Sequence, residues 1–253
     1  MTGPQTQPTP STSPSGARVV HSGPTGSIPP GPAGLPRPRW LDEVVARVPS
    51  VDAHWFSRFQ PPEEGGRESA VLMLFGPPPA GEEAEGEHVI LIERSHTMRT
   101  QPAQIAFPGG SRDPEDEDSV ATALREAEEE TGIEPSGVDV VDVLPSLYLP
   151  PANFVVAPVL GWWAAPTPVT VRDPAEVHEV LSVPISHLVH PETRFTVTHP
   201  SGYVGPGFEL DHLLLWGFTA GLLSRVLDLS GLALPWDESR QRPLPEIYLR
   251  DRR

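Results

Sequence analysis

The sequence predicts an α/β sandwich, because short strand-like segments alternate with two principal helical segments. The predicted strands are runs rich in Val, Leu, Ile and Phe that are bounded by Gly, Pro or acidic residues. They cover residues 69–75, 89–93, 105–107, 138–147, 154–163, 177–183 and 193–199. Apolar residues at helical spacing predict one principal helix after residue 118, a second over 213–229 and a short helix over 41–48.

Composition divides the 253 residues into three regions. Residues 1–37 are dominated by Pro, Gly, Ser and Thr and carry almost no charge, which predicts a disordered tail. Residues 38–234 contain the predicted strands and helices and are long enough for one domain with a substantial core. Residues 235–253 are again polar and proline-rich, so we expect a C-terminal tail there.

Charge and residue usage exclude several classes of function. The net charge is −16, no cysteine is present, and all 18 basic residues are arginine. The lack of cysteine excludes disulfides and cysteine-bound zinc, and the lack of lysine excludes a Walker-type phosphate loop. Nucleic-acid backbone repels an acidic protein, and no apolar run is long enough to cross a bilayer. We therefore expect no nucleic-acid or membrane partner, and the lack of cysteine fits a cytoplasmic protein.

The most informative segment is an acidic helix that follows a glycine-rich turn. At about 100° per residue, Glu129 and Glu130 fall about 60° behind and about 40° ahead of Glu126, so the three carboxylates share a narrow arc. Like charges at these spacings destabilise a helix by roughly 0.2–0.5 kcal/mol per pair. A divalent cation bound by their oxygens would offset the repulsion. The alternative is a solvated acidic face, and the motif around the three glutamates favours the metal site.

The ends of this helix are also marked in the sequence. Asp118 or Ser119 can cap its N-terminus, and Gly132 predicts its C-terminal end. Upstream, the residues FPGG at 107–110 predict a sharp turn whose carbonyl groups lie close to the acids.

This region resembles the signature of the Nudix hydrolases, G-x5-E-x7-R-E-U-x-E-E-x-G-U, in which U is aliphatic. Residues 125–133, REAEEETGI, fit its second half, and Arg125 lies four residues before Glu129, which it can orient. Glu117 occupies the upstream glutamate position, with six residues instead of five between it and Gly110.

The longer spacing resembles the coenzyme A diphosphatase branch of that family, and a second pattern supports the branch. Its members carry L-L-T-x-R-S-x3-R-x3-G-x3-F-P-G-G. This chain has ILIERS at 90–95, then Arg99, then FPGG at 107–110, all in register. Ile92 replaces the threonine of the pattern, and Ala103 replaces its first glycine.

The resemblance implies a fold, an activity and a small-molecule diphosphate substrate as the partner. The fold is a Nudix-type α/β/α sandwich with a mixed sheet. The activity is metal-dependent hydrolysis of a diphosphate bond in coenzyme A or its thioesters, giving 3′,5′-ADP and a 4′-phosphopantetheine species. Alternative substrates are ADP-ribose or a dinucleotide such as NADH. A different class of function is a catalytically silent nucleotide-binding module.

The resemblance also implies a site that holds Mg²⁺ or Mn²⁺. Glu126 and Glu130 are the implied metal ligands, Glu129 is a ligand or the general base, and the Gly110 carbonyl is a further ligand. Glu176, just ahead of a predicted strand, is a second candidate for the general base.

The remaining predictions concern arginines and histidines. Arg125 is expected to orient the acids. The residues expected to bind substrate phosphates are Arg94, Ser95 and Arg99. No zinc site is predicted, because His178, His187 and His190 lack the HExxH spacing.

Overall fold

The structure is a computed structural model that describes residues 34–56, 59–62, 65–98 and 101–249. Residues 1–33, most of the predicted N-terminal tail, lie outside this part of the chain. The helices are α1 (Arg39–Arg47), α2 (Ala53–Phe56), α3 (Ser119–Thr131), α4 (Ile185–Leu188), α5 (Gly217–Ser230) and α6 (Glu246–Leu249). None of the helices in the described residues is long and apolar enough to span a membrane.

The main sheet mixes parallel and antiparallel strands, as predicted. Its strands are β1 (Arg67–Gly76), β2 (His88–Arg94), β3 (Ile105–Ala106), β4 (Gly109–Ser111), β5 (Val138–Val143), β6 (Leu147–Leu149), β7 (Phe154–Trp163) and β8 (Val177–Pro184). The order is β3-β2-β1-β7-β5, while β4 pairs with β1, β6 with β7 and β8 with β2. Strand β1 lies at the centre, parallel to β7 and antiparallel to β2 and β4.

Helices cover both faces of this sheet. Alternate residues of β1 point to opposite layers: Leu72 and Leu74 pack in one core with Ala123 of α3, whereas Met73 and Phe75 pack in the other. The α1 and α5 side chains of that second core are Leu41, Val44, Leu222, Leu223, Val226 and Leu227. Each such side chain, fully buried, contributes roughly 1.5–3 kcal/mol. The arrangement confirms the predicted α/β/α sandwich.

A second, four-stranded sheet packs beside the main one. Its strands are β9 (Arg194–Thr198), β10 (Val204–Leu210), β11 (Leu213–Leu215) and β12 (Gln241–Pro243), in the order β11-β10-β9-β12. Phe208 and Leu215 of this sheet join the core that contains α5, so the two sheets share apolar packing.

The second principal helix begins later than predicted. Residues 213–215 form β11, in which Leu215 pairs with Phe208 of β10. The backbone of Trp216 is extended, with φ −150°, and α5 begins at Gly217. A run of three leucines fits a buried strand as well as a helix, and here the pairing with β10 decides the outcome.

Two segments predicted as parts of tails make ordered contacts with the domain. The Leu35 N–H donates to the Ala164 carbonyl at 2.8 Å, and the Leu35 carbonyl accepts from Trp162 Nε1 at 2.9 Å. At the other end, β12 pairs in parallel with β9, and Leu244 is buried. Backbone hydrogen bonds hold both segments, and composition alone does not reveal such bonds.

Candidate active site

The glycine-rich turn lies directly against helix α3. It forms β4, in which Gly109 pairs with Val71 and Gly110 with Ala70 of β1. A β-carbon on Gly109 would lie 2.7 Å from the Val71 Cα, and one on Gly110 would collide with the carboxylate of Glu126. Both glycines are therefore required for the close approach of the turn to the acids.

Helix α3 carries the acids at a fixed position because both its ends and its inner face are anchored. The Asp118 side chain accepts a hydrogen bond from the Ala121 N–H at 2.9 Å, and the helix ends at Gly132 with φ 74°. Ala123 and Ala127 are fully buried against the main sheet. The predicted Asp118 cap and glycine end are confirmed.

Glu130 is a buried acid with one unsatisfied oxygen. Its side chain is 2 % exposed, and its Oε2 accepts a hydrogen bond from the Gly109 N–H at 2.9 Å. Oε1 has no hydrogen-bond partner among the described residues. Burial raises the pKa of Glu130 to about 8, although the Gly109 hydrogen bond opposes this shift. A buried oxygen of this kind needs a partner, and the described residues do not supply one.

Glu126 and Glu129 complete the predicted arc and differ in exposure. Burial raises the pKa of the half-buried Glu126, Arg125 lowers it, and the negative charges of Glu129 and Glu176 raise it further. The Glu129 side chain is 58 % exposed and accepts a hydrogen bond from Arg125 at 3.0 Å. The acidic arc therefore runs from solvent at Glu129 to the interior at Glu130.

Arg125 is held by an aspartate that the sequence analysis did not single out. Its Nε and Nη2 donate to the two oxygens of Asp116 at 3.0 and 2.9 Å, and Nη2 also donates to the Ser111 carbonyl at 3.1 Å. Asp116 is 8 % exposed. The hydrogen bond from Arg125 holds the pKa of Asp116 far below its ordinary value, and the same bond raises the pKa of Arg125. The pair orients Arg125 toward Glu126 and Glu129.

This geometry corrects the position of the upstream acid. The motif spacing predicted Glu117 at this position, but Glu117 is exposed, and within the described residues its backbone carbonyl, not its carboxylate, accepts a hydrogen bond, from Arg112. A spacing of five residues after Gly110 leads to Asp116. Asp116 thus keeps the ordinary spacing from Gly110, whereas Glu117 keeps the ordinary spacing of seven residues before Arg125, so the sequence pattern alone did not decide between the two acids.

The predicted upstream residues approach the acids from β2 and β8. The Ser95 N–H donates to the Glu176 carbonyl at 2.7 Å, which joins the end of β2 to the loop before β8. The charge of Glu176 raises the pKa of Glu130, whereas the charge of Arg94 lowers it, so both side chains lie within electrostatic range of the buried acid. Arg94 Nε is buried without a hydrogen-bond partner in the described part of the chain.

Two further predicted substrate-binding residues have different outcomes. Ser95 is buried, and its hydroxyl lies 2.9 Å from the hydroxyl of Thr97. Arg99 lies outside the described residues.

Comparisons with known proteins agree with this geometry. The family model described as NUDIX domain matches residues 81–200. A protein from Enterobacter sp. (strain 638), "Uncharacterized Nudix hydrolase NudL", is 34 % identical over 167 residues, covering 63 % of this chain and 81 % of that protein. This chain belongs to the Nudix hydrolase family.

Other relatives of this Nudix hydrolase include a mouse protein, "Peroxisomal coenzyme A diphosphatase NUDT7". It is 37 % identical over 174 residues, covering 65 % of this chain. The match spans 66 % of the mouse protein, just under two thirds of its length. Among solved structures, the Nudix hydrolase RenU from M. smegmatis gives a TM-score of 0.46 at 18 % identity, covering 69 % of this chain and 92 % of that one.

The acidic cluster fits the divalent metal that Nudix hydrolases use. Magnesium and manganese prefer oxygen ligands, and Glu126, Glu129 and Glu130 offer carboxylates on one side of α3. Glu130 Oε1, which has no partner in the part of the chain that the structure describes, is the atom whose burial a bound cation would compensate.

Proposed function

We propose that this Nudix hydrolase is a metal-dependent diphosphatase that cleaves coenzyme A or its thioesters, giving 3′,5′-ADP and a 4′-phosphopantetheine species. The observation that carries the proposal is the buried Glu130 oxygen that has no hydrogen-bond partner in the described residues, with the charges of Glu126, Arg94 and Glu176 within electrostatic range of it. Crowded carboxylates with an arginine nearby suit a cation and a phosphate together.

The metal we propose is Mg²⁺ or Mn²⁺, held by Glu126, Glu129 and Glu130, with the Gly110 carbonyl as a further ligand. When bound, such an ion neutralises charge on the diphosphate and makes water a better nucleophile at neutral pH. The absence of cysteine in the chain is compatible with the reducing cytoplasm that we propose as its location.

The protein's own residues position the substrate and move the proton. Arg94, with a buried Nε that has no partner in the described residues, is the proposed donor to a substrate phosphate. Asp116 and Arg125 fix the orientation of Glu126 and Glu129. Glu129 and Glu176 are the two candidates for the general base that takes a proton from the attacking water.

The two departures from the coenzyme A pattern fall on a core residue and on a turn, so neither removes a proposed metal ligand or phosphate donor. Ile92 is fully buried in β2, so the replaced threonine position belongs to the core. Ala103 adopts φ 58°, a conformation in the left-handed region that glycine favours. The alanine therefore preserves the backbone turn of the pattern, and the mouse relative named as a coenzyme A diphosphatase supports the same substrate class.

A panel of substrates tests the proposal. Purified protein is incubated with Mg²⁺ or Mn²⁺ and, separately, with coenzyme A, ADP-ribose, NADH and a nucleoside triphosphate. We expect 3′,5′-ADP to appear from coenzyme A at a kcat/KM well above that for the other compounds. Preferred cleavage of ADP-ribose or NADH would show that coenzyme A is not the main substrate. If no compound were turned over, a silent binding module would be favoured.

Matched variants connect the activity to the site. Glu126→Gln removes a proposed ligand and should lower turnover of coenzyme A by at least about 100-fold, more than the loss typical for a residue that only supports a ligand. Glu128→Gln changes an exposed glutamate two residues further along the same helix and should retain turnover. Glu129→Gln and Glu176→Gln, measured across pH, distinguish the candidate bases, because loss of the base removes the acidic limb of the rate profile.

A further inference from the structure

A second group of potential ligands lies outside the acidic cluster. It consists of Glu93, His96 and His178, whose ligand atoms all lie within 4.8 Å of one another. His96 Nε2 is 2.7 Å from Glu93 Oε1, and the ring centroids of His96 and His178 are 4.3 Å apart. Two imidazoles and one carboxylate thus converge on one point.

The pairing of β2 with β8 brings these three residues together. Glu93 pairs with Glu179 across the two antiparallel strands, which places His178 beside it, and His96 follows in the turn after β2. Glu93 is 4 % exposed, whereas both histidines are exposed. The group therefore has one buried carboxylate, that of Glu93, and two histidines that an ion can reach from solvent.

The same three side chains line a cavity of about 470 Å³. Its other acidic side chains are Glu179, Glu209 and Asp211. Part of its wall comes from Ile247 and Tyr248 of α6, which lie beyond the residues that the family model matches. The surplus of carboxylates around the cavity favours a cation over an anion.

We propose that Glu93, His96 and His178 bind a divalent transition-metal ion of the zinc type, at a site separate from Glu126, Glu129 and Glu130. Imidazole nitrogens suit zinc and its neighbours in the first transition row, whereas magnesium prefers an all-oxygen set. The site has three protein ligands and leaves a fourth position that faces the cavity, where water or a ligand atom can bind.

The spacing agrees with tetrahedral zinc. With metal–ligand bonds of about 2.0–2.1 Å, neighbouring ligand atoms in a tetrahedron lie about 3.3 Å apart. That separation falls between the 2.7 Å of the Glu93–His96 contact and the 4.8 Å limit of the group. Small side-chain rotations would place the three atoms around one ion. A simple Glu93–His96 ion pair accounts for two of the residues and leaves the close approach of the His178 ring unexplained.

Zinc titration of the whole chain tests the site. Protein freed of metal with EDTA is titrated with Zn²⁺ in excess Mg²⁺, which is added to fill the proposed site at the acidic cluster. In a parallel experiment, Co²⁺ replaces Zn²⁺, and its absorption spectrum reports the coordination geometry. We expect one Zn²⁺ per chain and the intense visible spectrum of tetrahedral Co²⁺. His178→Ala should weaken Zn²⁺ binding by at least about 100-fold, since a direct ligand contributes more than a supporting residue.

Two controls make the result specific. His212→Ala removes another histidine of the same cavity, and Glu126→Gln alters the acidic cluster; both should keep the Zn²⁺ affinity and stoichiometry. His178 is exposed, so its alanine variant should fold, and the melting temperature without metal checks this. Unchanged affinity in His178→Ala, loss of the ion in Glu126→Gln, or no Zn²⁺ uptake by the wild type would overturn the proposal. None of these measurements depends on diphosphatase activity.

Discussion

Asp116 and Glu130 are two buried carboxylates at opposite ends of the same acidic segment, and burial has opposite consequences for them. Asp116 is 8 % exposed and Glu130 is 2 % exposed. The pKa of Asp116 lies far below its ordinary value because Arg125 donates two hydrogen bonds to it. The pKa of Glu130 rises to about 8 because burial outweighs the hydrogen bond from the Gly109 N–H, which is its only donor among the described residues.

Burial alone therefore does not define the role of an acid. Where the chain supplies its own cation, as at Asp116, the result is a fixed support for the acids around it. Where a buried carboxylate has no such partner in the described part of the chain, as at Glu130, the folded state carries a cost that an external cation would remove. We therefore propose that the first kind of acid positions the site and that the second kind binds the metal.

The largest expected effect is on the pH dependence of stability in metal-free protein. Glu130 keeps its proton to about pH 8 when folded, whereas its ordinary pKa is 4.5. Between these values the unfolded chain binds fewer protons than the folded protein, so the free energy of unfolding falls as pH rises, by at most about 5 kcal/mol. Urea unfolding in EDTA between about pH 5 and pH 8 measures this slope.

The matching variant isolates Glu130 in that experiment. Glu130→Gln cannot ionise, so its stability should lose most of the decline with pH and exceed that of the wild type near pH 8. Glu128→Gln, an exposed neighbour on the same helix, should retain the wild-type slope. If the unfolding free energies of Glu130→Gln and the wild type declined in parallel with pH, Glu130 would not be the source of the slope.

A smaller effect is expected at Asp116, the acid that is hydrogen-bonded to Arg125. Asp116→Asn replaces a charged acceptor and weakens the hold on Arg125, so we expect a loss of roughly 1.5–3 kcal/mol of unfolding free energy. Turnover should fall by about 10–100-fold, as for other residues that orient metal ligands. Glu117→Gln is the control, because its side chain is exposed and should change neither quantity appreciably. Equal losses in both variants would refute the assignment to Asp116.

The smallest effect concerns the exposed partner of the same arginine. Glu129 also accepts a hydrogen bond from Arg125, at 3.0 Å, but its side chain is 58 % exposed. Solvent screens this pair, so Glu129→Gln should change the unfolding free energy by no more than about 0.5 kcal/mol. Thermal or urea unfolding alongside Asp116→Asn makes the comparison direct. A cost as large as that of Asp116→Asn would show that burial is not what distinguishes the two partners.

The sequence predicted those parts of the protein that depend on local pattern. The Asp118 cap, the glycine end and the buried alanines of α3 follow from residues within a few positions of one another, and the structure confirms them. Strand β7, at Phe154–Trp163 beside the central β1, was also predicted over its full length. The sandwich follows because apolar residues fix which faces must be covered.

The features that the sequence did not predict depend on distant pairing or on the reach of a side chain. Asp116, not Glu117, binds Arg125 because the loop after β4 aims the shorter acid at the guanidinium. His178 meets Glu93 only because β8 pairs with β2, and no local spacing shows this. Strand β12 is polar and short, so it has no apolar alternation to mark it.

Strand β12 also has a consequence for handling the protein. It covers one side of β9, and Gln241 and Arg242 align with Thr196 and Val197 there. A truncation before residue 241 would leave the amide and carbonyl groups along that side of β9 without partners. An uncovered sheet margin of this kind recruits strands from other molecules, so shortened versions of this chain should self-associate.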